Sequence, residues 1–221
     1  MVNDGLTIRI DGRQPLSSDS VGALATVCDR AEDRGEHGTV IVHVSGAPLP
    51  GASASEVTMA LVSKWERALR RLERLPAATI TLAEGDCGGL ALEALLATDY
   101  RIARNSVRLL VTVPGSVIWP GMALYRLSHQ AGAAAVRRAV LFGTPIDIAA
   151  ALAMGLIDEL AADATTAMAR AAEVAEAVHD AGRAVRRHLM LDASATSFEE
   201  SLGVHLAACD RVLRQAEAEV A

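Results

Sequence analysis

A glycine-rich segment separates an apolar run from a short apolar helical pattern near the middle of the chain. Residues 85–93 read GDCGGLALE, and they follow the run AATITLA at residues 77–83. The apolar run is typical of a buried strand, and the residues from Leu90 to Ala97 predict a helix. A glycine turn from a strand into a helix leaves backbone N–H groups free at the helix N-terminus, where they and the helix dipole attract negative charge. The segment therefore predicts a site that stabilises an anion.

Glu93 is the one carboxylate in the apolar pattern that follows the glycine turn. Burial among leucine side chains favours the protonated form of a carboxyl group, which suits a general acid or base near neutral pH. The alternative is a structural glutamate that pairs with an arginine such as Arg101 or Arg126. The sequence alone leaves both interpretations open.

Two loops are candidate partners of the glycine turn. The loop from Ser45 to Ala54 is rich in glycine, proline and serine and precedes a helical pattern, so its N–H groups would supply the second half of an anion site. Trp119-Pro120-Gly121 lies in another loop, where a tryptophan either covers the edge of a core or forms the wall of a pocket. Asp86, beside the glycine turn, fits either a structural or a functional role, whereas Asp99 is expected to accept structural hydrogen bonds.

Strand and helix patterns alternate through the first part of the chain, which predicts an α/β fold. Asp11-Gly12, after the first strand pattern, is typical of a hairpin turn. From Thr165 onward the alanine-rich chain keeps helical spacing. We therefore predict a core of residues 1–164 and a C-terminal helical region of residues 165–221.

The composition favours an ordinary soluble protein with one sizeable core. The chain has 221 residues, of which 51% are hydrophobic, and a net charge of −6, which argues against a nucleic-acid partner. The sequence has no secretory signal pattern and no apolar run that would span a membrane, so a cytoplasmic location is expected. Its cysteines and histidines lack metal-ligand spacing, and we predict no metal site.

These motifs resemble those of the crotonase (enoyl-CoA hydratase/isomerase) family. Members show a glycine, a glycine-rich turn, a glutamate and an aspartate that closes the helix, and these correspond here to Gly85, Gly88-Gly89, Glu93 and Asp99. Trp119-Pro120-Gly121 and residues 142–158 resemble later motifs of the same family. The chain is therefore identified as resembling this family over roughly residues 6–165.

The resemblance implies a spiral of ββα units with a C-terminal helical region that packs as a homotrimer or hexamer. It also implies acyl-CoA thioester substrates and no further cofactor. The backbone N–H groups of Ala52 and Leu90 would form an oxyanion hole, and Glu93 would transfer protons. The substrate-binding residues that it implies are Gly51, Gly89, Asp86, Trp119 and Gly121.

One position departs from the family pattern. Val113 stands where hydratases have their second catalytic glutamate, and valine cannot transfer a proton. Ordinary hydration by two carboxylates is therefore disfavoured. The resemblance does not specify which arginine contacts the CoA phosphates, and Arg9, Arg13 and Arg104 are equal candidates.

Within the family, three segments resemble the crotonase-like B proteins of the dihydroxyphenylglycine pathway in glycopeptide antibiotic producers. The segments are residues 27–32, 64–76 and 132–143. This resemblance implies a type III polyketide synthase and sister crotonase-like proteins as partners, and a polyketide-CoA substrate that is dehydrated toward 3,5-dihydroxyphenylacetyl-CoA. Two alternatives stay open: a non-catalytic partner of the synthase, and an ordinary enoyl-CoA hydratase or isomerase.

Overall fold

The structure is a computed structural model, and it describes residues 6–35, 38–51, 57–112, 121–177, 182–193 and 196–220. The chain divides into two compact units, residues 1–179 and 180–221. The functional division into residues 1–164 and 165–221 stays a prediction.

A largely parallel sheet forms the centre of the first unit, which confirms the α/β prediction. Within the described residues its strands follow the order β1-β2-β3-β4-β7, while β5 pairs with β3 and β6 pairs with β5. Neighbouring strands of the main order are all parallel, and only the β5–β6 pair is antiparallel. The strands are β1 Leu6–Asp11, β2 Thr39–Gly46, β3 Ala78–Gly88, β4 Tyr100–Arg104, β5 Arg108–Leu110, β6 Ile146–Asp147 and β7 Glu159–Ala161.

Helices connect the strands and cover both faces of the sheet. Helix α1 connects β1 to β2 and begins with a capping box. The Ser17 hydroxyl accepts a hydrogen bond from the Ser20 N–H, and the Ser20 hydroxyl accepts one from the Ser17 N–H. The helices of the first unit are α1 Ser18–Arg34, α2 Met59–Glu73, α3 Leu90–Leu96, α4 Ala123–Ala131, α5 Ala133–Phe142, α6 Ile148–Ala153 and α7 Ala164–Ala177.

The hairpin turn predicted at Asp11-Gly12 is wrong. β1 pairs with β2 in parallel, so the chain after Asp11 leaves the sheet edge and enters α1. The Gly12 N–H donates to the Ser45 carbonyl at 2.7 Å, which keeps this turn against the end of β2. An Asp-Gly pair suits a hairpin turn, but it equally suits the exit from a parallel strand. Local turn chemistry therefore cannot distinguish the two, and the tertiary structure decides which strand pairs with β1.

The two faces of the sheet have different cores. The larger core contains the inward residues of β1 and β2 together with α1, α2 and α3, and its largest fully buried side chain is Trp65. The smaller core packs α7 on the opposite face, where Ile41, Leu82 and Ile102 contact Ala167 and Ala171. Alternate residues of each strand therefore point toward different helices.

The second unit contains two helices among its described residues, α8 Arg183–Ala193 and α9 Phe198–Val220. The Ser197 hydroxyl and N–H both donate to the Glu200 carboxylate at 2.9 Å, which holds the first turn of α9. Large apolar side chains are exposed on α9, including Phe198, Leu206 and Leu213. The helical pattern from residue 165 onward thus corresponds to α7, which lies in the first unit, and to α8 and α9 in the second.

Candidate active site

The glycine turn and the loop after β2 lie in direct contact. Gly46 is the register partner of Cys87, and a Cβ atom added at Gly88 would lie 2.9 Å from the Ala47 Cβ. A Cβ added at Gly89 would lie 3.0 Å from the Pro48 Cγ, and Gly89 has a φ of +52°. Both the contact and the positive φ require glycine here. The two loops that the sequence analysis assigns to one anion site therefore meet at the ends of adjacent strands.

Gly12 packs a third backbone segment beneath these two loops. A Cβ added at Gly12 would lie 2.2 Å from the Gly88 carbonyl oxygen and 2.3 Å from the Gly46 carbonyl oxygen. No side chain fits at such distances, so the turn after β1 sets the spacing between the ends of β2 and β3. The sequence analysis missed this role because it interpreted Gly12 as part of a hairpin.

Helix α3 begins directly after the turn and presents its first N–H groups there. Gly89 is the N-cap and makes no side-chain capping bond, and the Glu93 N–H donates to the Gly89 carbonyl at 3.1 Å. Leu90 is the first helical residue, and an N–H at this position has no acceptor within its own helix. The predicted oxyanion donor at Leu90 thus lies where the two loops meet. Its predicted partner, Ala52, lies outside the described residues, and Gly51 is exposed at the end of the described loop.

Glu93 is buried and accepts a hydrogen bond from a tryptophan. The indole Nε1 of Trp65 lies 2.6 Å from the Glu93 Oε2, and the two residues are 0% and 1% exposed. A tryptophan that is buried needs an acceptor for its N–H, and a carboxylate that is buried needs donors. The pair connects α2 to α3, so Trp65 fixes one oxygen of the predicted proton-transfer group.

The arginines that the structural alternative assigned to Glu93 bind elsewhere. Arg126 donates to Glu73 at 2.5 Å and to Glu66 at 3.0 Å. Burial opposes its charge, but these two carboxylates outweigh it and raise the pKa of Arg126. Arg101 donates to the carbonyls of Leu96 and Thr98 at the end of α3, at 3.0 and 3.1 Å. Burial lowers the pKa of Arg101. A Glu93–arginine pair with either residue is therefore wrong.

The two aspartates that flank the glycine segment make different contacts. Asp86 forms a two-point ion pair with Arg108, with N–O distances of 2.7 and 2.8 Å, at a partly exposed position. Asp99 accepts from both the N–H and the hydroxyl of Thr79 at 2.9 Å, which joins the end of α3 to β3. Asp99 thus has the structural role expected of it, while a substrate contact for Asp86 stays a prediction.

The remaining predicted site positions are only partly covered by the structure. Trp119 lies outside the described residues, as does Val113, the position of the second family glutamate. Gly121 is described just before α4 and is partly exposed. Trp65 is not among the predicted site residues. The sequence does show that a buried tryptophan needs an acceptor for its indole N–H. The spacing of residues along α2 does not indicate which residue supplies that acceptor.

Comparison with known proteins agrees with this fold and shows the family. The sequence profile of the family described as Enoyl-CoA hydratase/isomerase matches residues 43–217. A relative from Amycolatopsis orientalis, named enoyl-CoA-hydratase, is 50% identical over 214 residues, which cover 97% of this chain and 98% of the relative. The chain therefore belongs to the enoyl-CoA hydratase/isomerase family, the crotonase-type enzymes.

Solved structures share the fold at low sequence identity. An enoyl-CoA hydratase/isomerase from Marinobacter aquaeolei aligns with a TM-score of 0.78 at 16% identity, over 96% of this chain and 89% of that chain. A Thermobifida fusca protein of the same kind, solved in complex with CoA, aligns with a TM-score of 0.74 at 20% identity, over 100% of this chain and 93% of that chain.

Among the described residues, no helix is both long and apolar enough to span a membrane.

Proposed function

We propose that this protein acts on a polyketide-CoA thioester and helps a type III polyketide synthase to form 3,5-dihydroxyphenylacetyl-CoA. The contact between the loop at Pro48 and the turn at Gly89 is the observation on which the proposal depends. Family membership supports an acyl-CoA substrate. The resemblance of residues 27–32, 64–76 and 132–143 to crotonase-like proteins of the dihydroxyphenylglycine pathway supports the narrower substrate.

The thioester oxygen would lie between the N–H groups of Leu90 and Ala52. Negative charge grows on that oxygen when a proton leaves the neighbouring carbon, and hydrogen bonds that are already in place stabilise it. Each such donor is worth roughly 3 kcal/mol of barrier. Because backbone groups supply both bonds, a leucine in place of a glycine at position 90 leaves this chemistry intact.

Glu93 would move the proton. In its ionised form it accepts a proton from the carbon beside the thioester, and in its protonated form it returns that proton to the hydroxyl group that leaves as water. The Trp65 N–H donates to Glu93 Oε2 and so orients the carboxylate for this transfer. One carboxylate suffices for this shuttle, which fits valine at position 113 better than a two-carboxylate hydration does.

Reconstitution with the synthase tests the proposal. Malonyl-CoA and a type III synthase are incubated with and without this protein, and 3,5-dihydroxyphenylacetyl-CoA is measured. We expect the protein to raise its yield, and we expect Glu93→Gln to remove most of that increase. Glu176→Gln is the matched control, since Glu176 is exposed on α7 and far along the chain from the glycine turn. An unchanged yield with Glu93→Gln would exclude Glu93 from the reaction.

An ordinary enoyl-CoA hydratase or isomerase is the second candidate. The name of the relative that is 50% identical favours it. Hydration of crotonyl-CoA, followed by loss of absorbance of the enoyl thioester, would support this candidate over the first. A third outcome, co-elution with the synthase and a higher yield that Glu93→Gln leaves unchanged, would indicate a non-catalytic partner.

Assembly and location are part of the same proposal. The family resemblance predicts a homotrimer or hexamer that packs through the C-terminal helices, with sister crotonase-like proteins as further partners in the cytoplasm. The exposed apolar side chains of α9 support such packing, because apolar patches of this kind commonly mark an interface. Mass measurement by light scattering would distinguish the trimer from the hexamer.

A further inference from the structure

A cleft lies on the α7 face of the sheet, opposite the face that contains Glu93. Arg9, His43 and Leu82 are register partners across β1, β2 and β3, and their side chains alternate with those that enter the larger core. These three residues, with Glu84, Arg104 and Ala167, line a cavity of about 280 Å³. We call it the Arg9–His43 cleft. Ile10 and Val44 also line it. The cleft lies apart from Glu93, because Leu82 and Ala167 belong to the smaller core on the α7 face, whereas α3 packs in the larger core.

Among the described residues, the acidic side chains of the cleft have cationic partners, whereas two of its basic side chains do not. Arg104 forms an ion pair with Glu84, and Asp11 is held by Arg13 through two N–O contacts of 2.8 and 3.0 Å. Within the described part of the chain, the side chain of Arg9 and the ring of His43 have neither a hydrogen bond nor an ion pair. Two neighbouring donors on adjacent strands thus face a cavity in which the acidic side chains already have cationic partners.

We propose that the Arg9–His43 cleft binds a small organic anion, with its carboxylate or phosphate head group at Arg9 and His43 and its apolar part against Leu82 and Ala167. A planar guanidinium matches the oxygens of either head group, and the imidazole adds one further donor. Leu82 and Ala167 belong to the smaller core and give the cleft an apolar floor. This site is independent of the reaction proposed at Glu93.

The electrostatic surroundings agree with this assignment. Burial and the charge of Arg9 lower the pKa of His43, so the imidazole is mainly neutral at pH 7 and offers one N–H. The charged groups around it are Arg9 on β1, Asp11 at the end of β1, Glu84 on β3 and Arg104 on β4. Asp163, before α7, lies close enough to Arg104 for that arginine to help lower the pKa of Asp163. A bound anion would offset the charge of Arg9 and raise the pKa of His43.

Titration of the folded protein by NMR, observing the ring carbon–hydrogen signal of His43 at constant ionic strength, tests the proposal. The probes are butyrate, methyl phosphate and n-butanol. We expect a saturable shift with butyrate or with methyl phosphate, and the probe that binds more tightly identifies the head group. A saturable shift with n-butanol equal to that with butyrate would overturn the proposal, as would the absence of saturation with both anions up to 50 mM.

Two exposed arginine variants complete the test. Arg9→Gln should weaken anion binding at least tenfold, because it removes the charge that faces the head group. Arg30→Gln is the matched control, since Arg30 is exposed on α1 and its side chain, like that of Arg9, makes no hydrogen bond within the described residues. Equal binding by Arg9→Gln and the unchanged protein would overturn the assignment. Binding of butyrate and of methyl phosphate is measured directly by the His43 signal, so this outcome does not depend on the function proposed for Glu93.

Discussion

The indole N–H of Trp65 on α2 donates to the carboxylate of Glu93 on α3 at 2.6 Å, and both residues are almost fully buried. The hydrogen bond joins a helix that follows one loop of the candidate site to the helix that follows the other loop. It gives Glu93 a fixed orientation in an apolar core, where an ionised carboxylate without donors would be strongly destabilised.

Trp65→Phe should destabilise the protein and impair the reaction. The change leaves a buried acceptor without its donor, which costs about 1–3 kcal/mol in the free energy of unfolding, and it frees Glu93 to adopt other orientations. Urea denaturation followed by circular dichroism measures the first effect, and turnover of the acyl-CoA substrate measures the second. The same substitution in a Glu93→Leu background controls for lost packing, because no acceptor is present there. If Trp65→Phe lowers the free energy of unfolding by the same amount in both backgrounds, the hydrogen bond to Glu93 contributes little to stability.

Gly12→Ala should disrupt the candidate site, whereas Gly22→Ala should be harmless. The new Cβ at position 12 would lie 2.2 and 2.3 Å from two backbone carbonyl oxygens, so the ends of β2 and β3 must separate. Gly22 lies within α1 and has nothing within 4 Å of an added Cβ. Alanine there should raise stability by about 0.5–1 kcal/mol through helix propensity. Thermal unfolding and activity of both variants provide the check, and a Gly12→Ala protein as stable and active as the parent would contradict the close approach.

His43 should make the folded state less stable as the pH falls. Burial and Arg9 lower the pKa of His43 in the folded chain, so the unfolded chain binds more protons below the ordinary histidine pKa of about 6.5. The contribution of His43 to stability is therefore complete above that pH and is lost as the pH decreases through the lowered pKa of the folded state. His43→Gln should flatten the dependence of the unfolding free energy on pH in this interval. His205→Gln, at an exposed position of α9, is the matched histidine control.

Cys209 should react with iodoacetamide long before the other two cysteines. Burial raises the pKa of Cys28 to about 11 and that of Cys87 to about 12, so neither forms the reactive thiolate near neutral pH. Cys209 is exposed on α9. Mass spectrometry of the native protein at pH 7.5 should find one rapidly modified site, and all three should react in guanidinium chloride. Equally rapid modification of Cys87 would mean that the glycine segment opens in the native state.

Sequence reasoning reached the α/β class and the glycine turn at residues 85–93 because both depend on local chemistry. Strand and helix patterns arise from which side chains must be buried, and a glycine turn before a helix follows from backbone sterics near the residues themselves. The same reasoning predicted Glu93 as a buried carboxylate, since its neighbours along α3 are apolar. Each of these conclusions needs no knowledge of distant residues.

The partner of Glu93 and the role of Gly12 depended on contacts between distant parts of the chain. Trp65 lies 28 positions before Glu93, and its spacing along α2 fits any apolar core position. Gly12 belongs to an Asp-Gly pair that suits a hairpin, and only the parallel pairing of β1 with β2 brings it against Gly46 and Gly88. The chain's own sequence thus determined the class of fold and the position of the turn, because these follow from local sterics and burial. Only the tertiary structure decided which donor holds the carboxylate and which glycine spaces the two loops, because packing between separate elements selects one partner among many that the sequence allows.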